Sequence, residues 1–409
     1  MTSEFWLGAV FGIFHKKNLL FQLDALGGSS LKNKEVITIP RHNIDKYAIS
    51  FADKNISKKP NVTYTITMIL IVLVAASYGC HSVNSKAISP DTDTVFYRIS
   101  TSIRTLENQF WKQGLQFLRD KRRKLSKVKC YIIVDETYDS YTGKLLRKEK
   151  KHKEKLTEEE KEFLKYIHKY KPNKGDTGSY KYLVFAIVYG KRRRVLRVKA
   201  VKRKENCDDF IIKTLLQLLK EVSYDCVIFD RGFYDGLFIE KLKRNKIPFI
   251  VRARISDFMK KIFGFYHEWK CYKDFEIGEY KIKGNLVLGV DFAEGKRTKW
   301  AFITNMEFGN WYEVRELYRK RWNIENIFKA TDGIKLRAQT NNPVTRMFCV
   351  CLSFLFYNAW QSKNKRGTLL NFVMNALESI FDLIVRTVEL YRDKLKLNIP
   401  FWDRIASSL

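Results

Sequence analysis

The sequence predicts an α/β protein built on a mixed sheet, with a β-rich insertion late in the chain and a helical region ahead of the sheet. Three observations carry this. Cys130–Val134 and Cys226–Phe229 are unbroken apolar runs, the pattern of strands buried on both faces, and each runs into an aspartate, Asp135 and Asp230. Around them the apolar spacing alternates between periods of two and 3.6, giving the order β-β-β-α-β-α-β up to Arg252. From about 253 to 308 the pattern is short and strand-like, and helical spacing returns only afterwards.

Bulk properties narrow the class of protein. A chain of 409 residues with 45% apolar and 14% aromatic content has room for two or three domains and a substantial core. Lys and Arg number 76 against 44 Asp and Glu, leaving a net charge of +32. That excess points to a polyanionic partner, with nucleic acid ahead of an anionic membrane; a lysine-rich or thermophilic proteome is the alternative source for part of it. The seven cysteines include no C-x2-C pair and there are only six histidines, which argues against zinc and against a disulfide framework. The longest apolar run, Ile66–Cys80, is too short and too interrupted to span a bilayer and reads as a buried helix. Glu4 stands where a secretory signal would carry basic residues. A cytoplasmic, nucleoid-associated protein without membrane attachment is expected.

Taken in order, residues 1–62 have no assignable role. Residues 63–125 are helical: the run at 66–80, a start at Ser89-Pro90-Asp91-Thr92, and a stripe of Leu106, Phe110, Trp111, Leu115 and Leu118 that ends in the basic run Lys121–Lys124. This region is either a DNA-binding module or a cap on the next domain. Lys144–Lys174 is a lysine-rich excursion with a helix over Glu158–Tyr170, either merely solvated or following a phosphate backbone. Tyr182–Tyr189 and Arg194–Val201 form a hairpin through Gly190. A helix from Asp208-Asp209 to Val222, a strand at Cys226–Phe229, a helix over 235–245 and a strand at Pro248–Arg252 follow. In the insertion, Tyr280–Ile282, Leu286–Val290 and Trp300–Thr304 are strands, with turns at Gly284-Asn285 and Glu294-Gly295. Leu317–Lys329 reads as one helix, Met347–Trp360 and Leu369–Leu390 as apolar helices, and 391–409 as a tail.

Two features concentrate chemistry. If the strands ending at Asp135 and Asp230 are parallel neighbours, about 4.8 Å apart, their carboxylates converge at the carboxyl end of the sheet. On the late helix, Tyr318, Arg321 and Glu325 recur at spacings of three and four and so share a face. Glu325 over the two aspartates gives three hard oxygen ligands, suited to Mg²⁺ or Mn²⁺ and to in-line attack on a phosphodiester by a two-metal mechanism. The plainer alternatives are turn-capping aspartates and an amphipathic helix with an i,i+4 Arg–Glu pair.

The order of elements with acids on the first strand, the fourth strand and a late helix resembles the ribonuclease-H-like fold. More closely, the chain resembles the DDE transposases of bacterial and archaeal insertion sequences, in the subclass with a β-strand insertion before the final Glu. Asp135-Glu136-Thr137 matches an Asp-x-Thr motif and Asp230-Arg231-Gly232 an Asp-Arg-Gly motif. Tyr318, Arg321 and Glu325 match a Y-x2-R-x3-E-x6-K signature, except that Asp332 stands at the lysine position, with Lys329 and Lys335 nearest. The resemblance covers roughly residues 63–390. It implies a catalytic domain of 126–252 and 309–390 around an insertion at 253–308. It also implies that Asp135, Asp230 and Glu325 are catalytic and bind the Mg²⁺ or Mn²⁺, two ions in all. Tyr318, Arg321, Arg231 and Lys329 would contact DNA phosphates, and Trp322 or Phe233 would stack on an unpaired base unless they are core aromatics. The implied activity is cleavage at transposon ends and strand transfer into target DNA, on double-stranded DNA and as a homodimer. A nuclease without strand transfer and an inactive DNA-binding remnant are the alternatives.

Overall fold

In a computed structural model of the protein, the described residues are 101–151, 153–265, 270–277, 281–293, 296–332, 334, 340–362 and 368–369, together with 51, 54, 55 and 99. They divide into two compact units, Glu107–Lys329 and a second drawn from Met1–Leu106 and Ala330–Leu409. The predicted elements at 66–80 and 89–92, the turn at Glu294-Gly295, nearly all of 369–390, the tail and Lys335 lie outside the described residues.

Helix α1 (Ile103–Leu125) buries its predicted stripe, with Leu106, Phe110, Trp111, Leu115 and Leu118 all inaccessible or nearly so. Strand β1 is Cys130–Tyr141. The excursion after it carries short helices α2 (Leu145–Lys151) and α3 (Glu158–Leu164) and the two-residue strand β2 (Ile167–His168). Helix α3 starts at a Thr157–Glu160 capping box and stops well before Tyr170, because Ile167 and His168 pair with the next strand instead. Strands β3 (Gly178–Tyr189) and β4 (Arg192–Val201) form the expected hairpin, turning at Gly190 with φ +54°. Then come α4 (Asp208–Glu221), β5 (Cys226–Phe229), α5 (Gly236–Arg244) and β6 (Phe249–Arg252). Asp235 caps α5 by accepting from the Phe238 amide at 3.0 Å.

Strands β1, β5 and β6 are parallel neighbours, and β3 runs antiparallel to β1 on the other side. Their inward residues, among them Ile132, Val134, Phe185, Val227, Phe229 and Val251, join Leu118 of α1 and Leu215 of α4 in one core. Strand β1 does not end at Asp135. It continues antiparallel to β3 as far as Tyr141↔Gly178, while its parallel ladder stops at Val134↔Phe229. The reason is the length of its partners: β3 offers twelve residues and β5 only four.

Beyond β6 come α6 (Asp257–Phe265), β7 (Lys270–Ile277), β8 (Ile282–Ala293) and β9 (Lys296–Thr304). These strands extend the same sheet: β9 pairs antiparallel with β6, β8 with β9 and β7 with β8. The sheet thus has nine strands in the order β2-β3-β1-β5-β6-β9-β8-β7, with β4 also on β3. Gly284-Asn285 is not a turn; it lies inside β8, where Gly284 faces Phe275 and Asn285 faces Thr304. The glycine answers a packing demand, since a Cβ there would come within 3.0 Å of Ile277 and 3.1 Å of Ile303.

The single helix predicted over Leu317–Lys329 is two, α7 (Trp311–Arg319) and α8 (Trp322–Asp332). Asn323 draws the Lys320 carbonyl onto its side-chain amide at 2.7 Å, a local bond that competes with the helical ladder and marks the joint. Helix α7 is seated on β8 through Gly289, where the Trp311 indole fills the space a side chain would take. In the second unit, α9 (Pro343–Ser362) starts with proline at its first position, and Asn342 accepts from the Val344 amide at 2.8 Å. It is buried on almost every face, and the buried set includes Arg346 and Asn358 beside its apolar residues. No helix among the described residues is long and apolar enough to cross a membrane.

A Cβ at position 289 would meet the Trp311 ring at 2.3 Å. Gly289→Ala is therefore expected to lift α7 from β8 and destabilise the protein by about 1–3 kcal/mol. Urea denaturation would show a lower midpoint at unchanged slope; an unchanged midpoint would mean that α7 does not depend on this seat.

Candidate active site

The parallel ladder of β1 and β5 ends on the pair Val134↔Phe229, so the next residues, Asp135 and Asp230, leave neighbouring strands at the same level. This is the carboxyl end of the parallel strands, where open α/β sheets form their sites. Asp135 is nearly enclosed, with 14% of its side chain exposed. Its Oδ1 accepts from the Glu136 amide at 2.8 Å and its Oδ2 from Arg321 Nη1 at 3.1 Å. Asp230 is more open and leads into a 3₁₀ turn at Arg231–Phe233 without its carboxylate capping that turn. Instead, Tyr318 Oη donates to its Oδ1 at 3.2 Å, and Arg321 Nε lies 3.9 Å from the same oxygen. Glu325, in the first turn of α8, accepts from Arg321 Nη2.

One guanidinium therefore reaches all three acids. Arg321 sits in the joint between α7 and α8, one helical turn after Tyr318 and one before Glu325. Tyr318 fixes the approach. It is buried, its ring rests on Phe302 at 5.0 Å and Trp300 at 6.1 Å, both on β9, and Arg321 lies 5.8 Å from the same ring. The extended sheet is thus the floor under the Tyr318–Arg321 pair.

The electrostatics follow from burial. Desolvation drives the Asp135 carboxyl up to about 6, reinforced by the neighbouring Asp230 and Glu136 charges and opposed by the Glu136 amide and Arg321. Burial also raises the Tyr318 phenol, keeping it a proton donor toward Asp230. For Arg321, burial works against the charge, but Tyr318 and the three carboxylates outweigh it and hold its pKa above the ordinary value. Among the described residues no three His, Cys, Asp or Glu side chains are grouped as a metal cage; what the three carboxylates surround is the Arg321 guanidinium. The donor set is still all oxygen, the chemistry that hard divalent cations take and zinc or copper do not favour.

Residues 126–358, which include all three acids, match the family model described as a transposase DDE domain. The chain belongs to this family. Among solved structures, this transposase is similar to a piggyBac transposase in a synaptic complex with hairpin DNA, at 10% identity and a TM-score of 0.50, over 96% of this chain and 85% of that one. The likeness is one of fold. No curated protein sequence matches the transposase.

The remaining predicted residues of the transposase are placed as follows. Arg231 is exposed on the turn after Asp230, and Lys329 is exposed on α8 one turn beyond Glu325. Trp322 is 51% exposed, with the Arg319 guanidinium 5.5 Å from its ring. Phe233 turns toward the core, against Phe229 at 5.3 Å and Phe238 at 6.1 Å. Thr137, the last residue of the Asp-x-Thr match, lies within β1 opposite Tyr182. Asp332 closes α8 and is exposed. A cavity of 610 Å³ opens beside Asp230 and draws on Arg252, Arg254 and Lys299, which the sequence pattern did not single out. Arg252-Ala253-Arg254, an Arg-x-Arg pattern that begins on the last residue of β6, was the available signal.

The Asp135 carboxyl holds its proton more tightly folded, near 6, than at its ordinary value of 3.8. Its favourable contribution to stability is therefore complete below the lower value and lost as pH rises through about 6. Asp135→Asn cannot ionise, so it is expected to gain stability relative to the parent between pH 4 and pH 7.5. At 1.36 kcal/mol per pKa unit the gain is at most about 3 kcal/mol. Denaturant titrations in chelator-containing buffer at both pH values measure it, and an equal difference at the two would rule out a proton-retaining Asp135.

Proposed function

We propose that the protein is an insertion-sequence transposase with a ribonuclease-H-like catalytic core, which cuts DNA at transposon ends and joins the freed 3′-hydroxyl to target DNA. The observation that carries this is the convergence of Asp135, Asp230 and Glu325 on one guanidinium within a chain of the transposase DDE family. The antiparallel β3–β1 pair followed by parallel β5 and β6 supports the ribonuclease-H-like topology. A solved relative in fold that is a transposase bound to DNA lends support to a DNA substrate, as does the net charge of +32. Two copies of the chain, each at one transposon end, fit the need to pair ends before joining them.

In this reading Asp135, Asp230 and Glu325 would hold Mg²⁺ or Mn²⁺, which when bound supplies the charge that activates an attacking oxygen and stabilises the leaving one. The remaining work falls to the chain's own side chains. Arg321 presents a planar, permanently charged fork that can bind a phosphate through two parallel hydrogen bonds. Tyr318, its phenol kept protonated by burial, donates to Asp230 and orients that carboxylate. Arg231 and Lys329, both exposed, contact phosphates of the same DNA, and Trp322 offers an accessible ring on which a base can stack.

The deciding experiment incubates the protein with Mg²⁺ or Mn²⁺, the DNA ends flanking its gene and a supercoiled plasmid. Joined products that vanish in Glu325→Gln and Asp230→Asn, with DNA affinity kept within about threefold, are the expected result. Cleavage without joining would leave a nuclease, and binding with neither reaction an inactive remnant. Separately, the logarithm of DNA affinity should fall linearly and steeply with the logarithm of salt concentration. A flat dependence would contradict the role assigned to the charge.

A further inference from the structure

We propose that the cavity beside Asp230 seats the phosphates of a single DNA strand next to the bond that is cut, held by Arg231, Arg252, Arg254 and Lys299. The proposal rests on the transposase reading above and adds a binding surface to it. Three adjacent strands build the cavity at one end of the sheet. Asp230, Arg231 and Gly232 follow β5, Arg252 to Ile255 end and follow β6, and Lys299 and Ala301 belong to β9. The Ala253 amide bonds the Ala301 carbonyl at 2.8 Å, carrying the β6–β9 ladder past Arg252 and fixing these walls to each other.

The charge of the lining is one-sided: four cations and one carboxylate, Asp230. That carboxylate is already engaged by Tyr318, with Arg321 beside it. Among the described residues none of the four cations makes an ion pair or a side-chain hydrogen bond. Elsewhere in the same unit basic side chains find acids, as in Lys148–Glu160, Arg203–Glu149, Lys241–Asp209 and Arg315–Asp291. Even Asp257, close by in sequence, pairs with Lys260. Two of the four are braced by aromatic rings: the Arg252 guanidinium lies 4.5 Å from the Trp300 ring and the Lys299 ammonium 5.4 Å from the Phe263 ring. A ring steadies a cation without neutralising it, so the charge stays available to an anion. Gathering like charges in a concave wall costs stability and focuses a positive potential, an arrangement that favours a polyanion.

Size and chemistry select the ligand. Ala253, Ala301 and Gly232 keep the walls low, and a Cβ at Gly232 would meet nothing within 4 Å. A volume of 610 Å³ is that of a small-ligand site, enough for a short stretch of one strand and not for a duplex. Arg231, Arg252, Arg254 and Lys299 offer donors and positive charge, which suit the backbone phosphates that position a strand. Trp300, already part of the Tyr318 packing, ties the cavity to the acids.

The test uses the full chain in chelator, so that nothing is cut. An oligo(dT) of about 20 nucleotides serves as the strand, and lysine acetylation read by mass spectrometry serves as the footprint. Saturating oligo(dT) is expected to slow modification of Lys299 about tenfold, while pyrophosphate at the same phosphate concentration leaves it reactive. The double variant Arg254→Gln, Lys299→Gln should lose about 1.4 from the slope of log affinity against log salt for this oligonucleotide, at about 0.7 per phosphate contact. Lys299 equally reactive with and without oligo(dT), or an unchanged slope, would overturn the proposal. Equal protection by pyrophosphate would overturn the strand in favour of a free-phosphate site. Because no metal is present, a protein that binds here but cuts nothing passes this test and fails the strand-transfer assay, and the converse separates the two readings equally well.

Discussion

Four rungs of parallel ladder, from Tyr131↔Cys226 to Val134↔Phe229, hold Asp135 and Asp230 side by side, and the rest of the site is arranged around that register. Side chains alternate along a strand, so a slip of one residue would swing Asp135 to the opposite face and drive an apolar neighbour into its place. The register is secured by burial on both faces: Ile132, Ile133, Val134, Val227, Ile228 and Phe229 are all fully inaccessible. A four-residue strand holds its place here because neighbours enclose it on both edges.

That placement has an electrostatic cost. A carboxylate nearly sealed at the end of a core strand is less well solvated than in water, and the Asp230 and Glu136 charges repel it. Arg321 offsets this by sharing one guanidinium among Asp135, Asp230 and Glu325, and a lysine ammonium, compact and lacking a planar fork, could not span them in the same way. The charge of Arg321 is in turn sustained by those acids against its own desolvation. The cluster is mutually dependent, and its members are as much a structural unit as a chemical one.

Much of this is written locally in the sequence. Unbroken apolar runs closed by an aspartate identify buried strands, and the three-and-four spacing of Tyr318, Arg321 and Glu325 survives the break between α7 and α8 because the joint stays close to helical geometry. What escaped depends on contacts distant in sequence. Gly284 looks like a turn until Ile277 and Ile303 are seen crowding it. The strand Lys270–Ile277 is polar at half its positions and carries a bulge with Asp274 at φ +50°, so it shows neither clean alternation nor an apolar run. Asn323 marks a helix joint only through its bond to Lys320. The cationic cavity is assembled from three strands spread over some seventy residues, and the only local sign of it is Arg252-Ala253-Arg254.

The seating of Trp311 on Gly289 and of Tyr318 on Trp300 and Phe302 has a bearing on how short such a protein can be made. Strands β8 and β9 are the surface against which the carrier of the tyrosine and arginine is aligned, and they shield the otherwise bare edge of β6. Trimming 253–308 to obtain a minimal catalytic fragment would expose that edge and leave α7 with nothing to rest on. The smallest functional unit is fixed by the breadth of sheet needed to hold a helix over two aspartates, and these strands belong inside it.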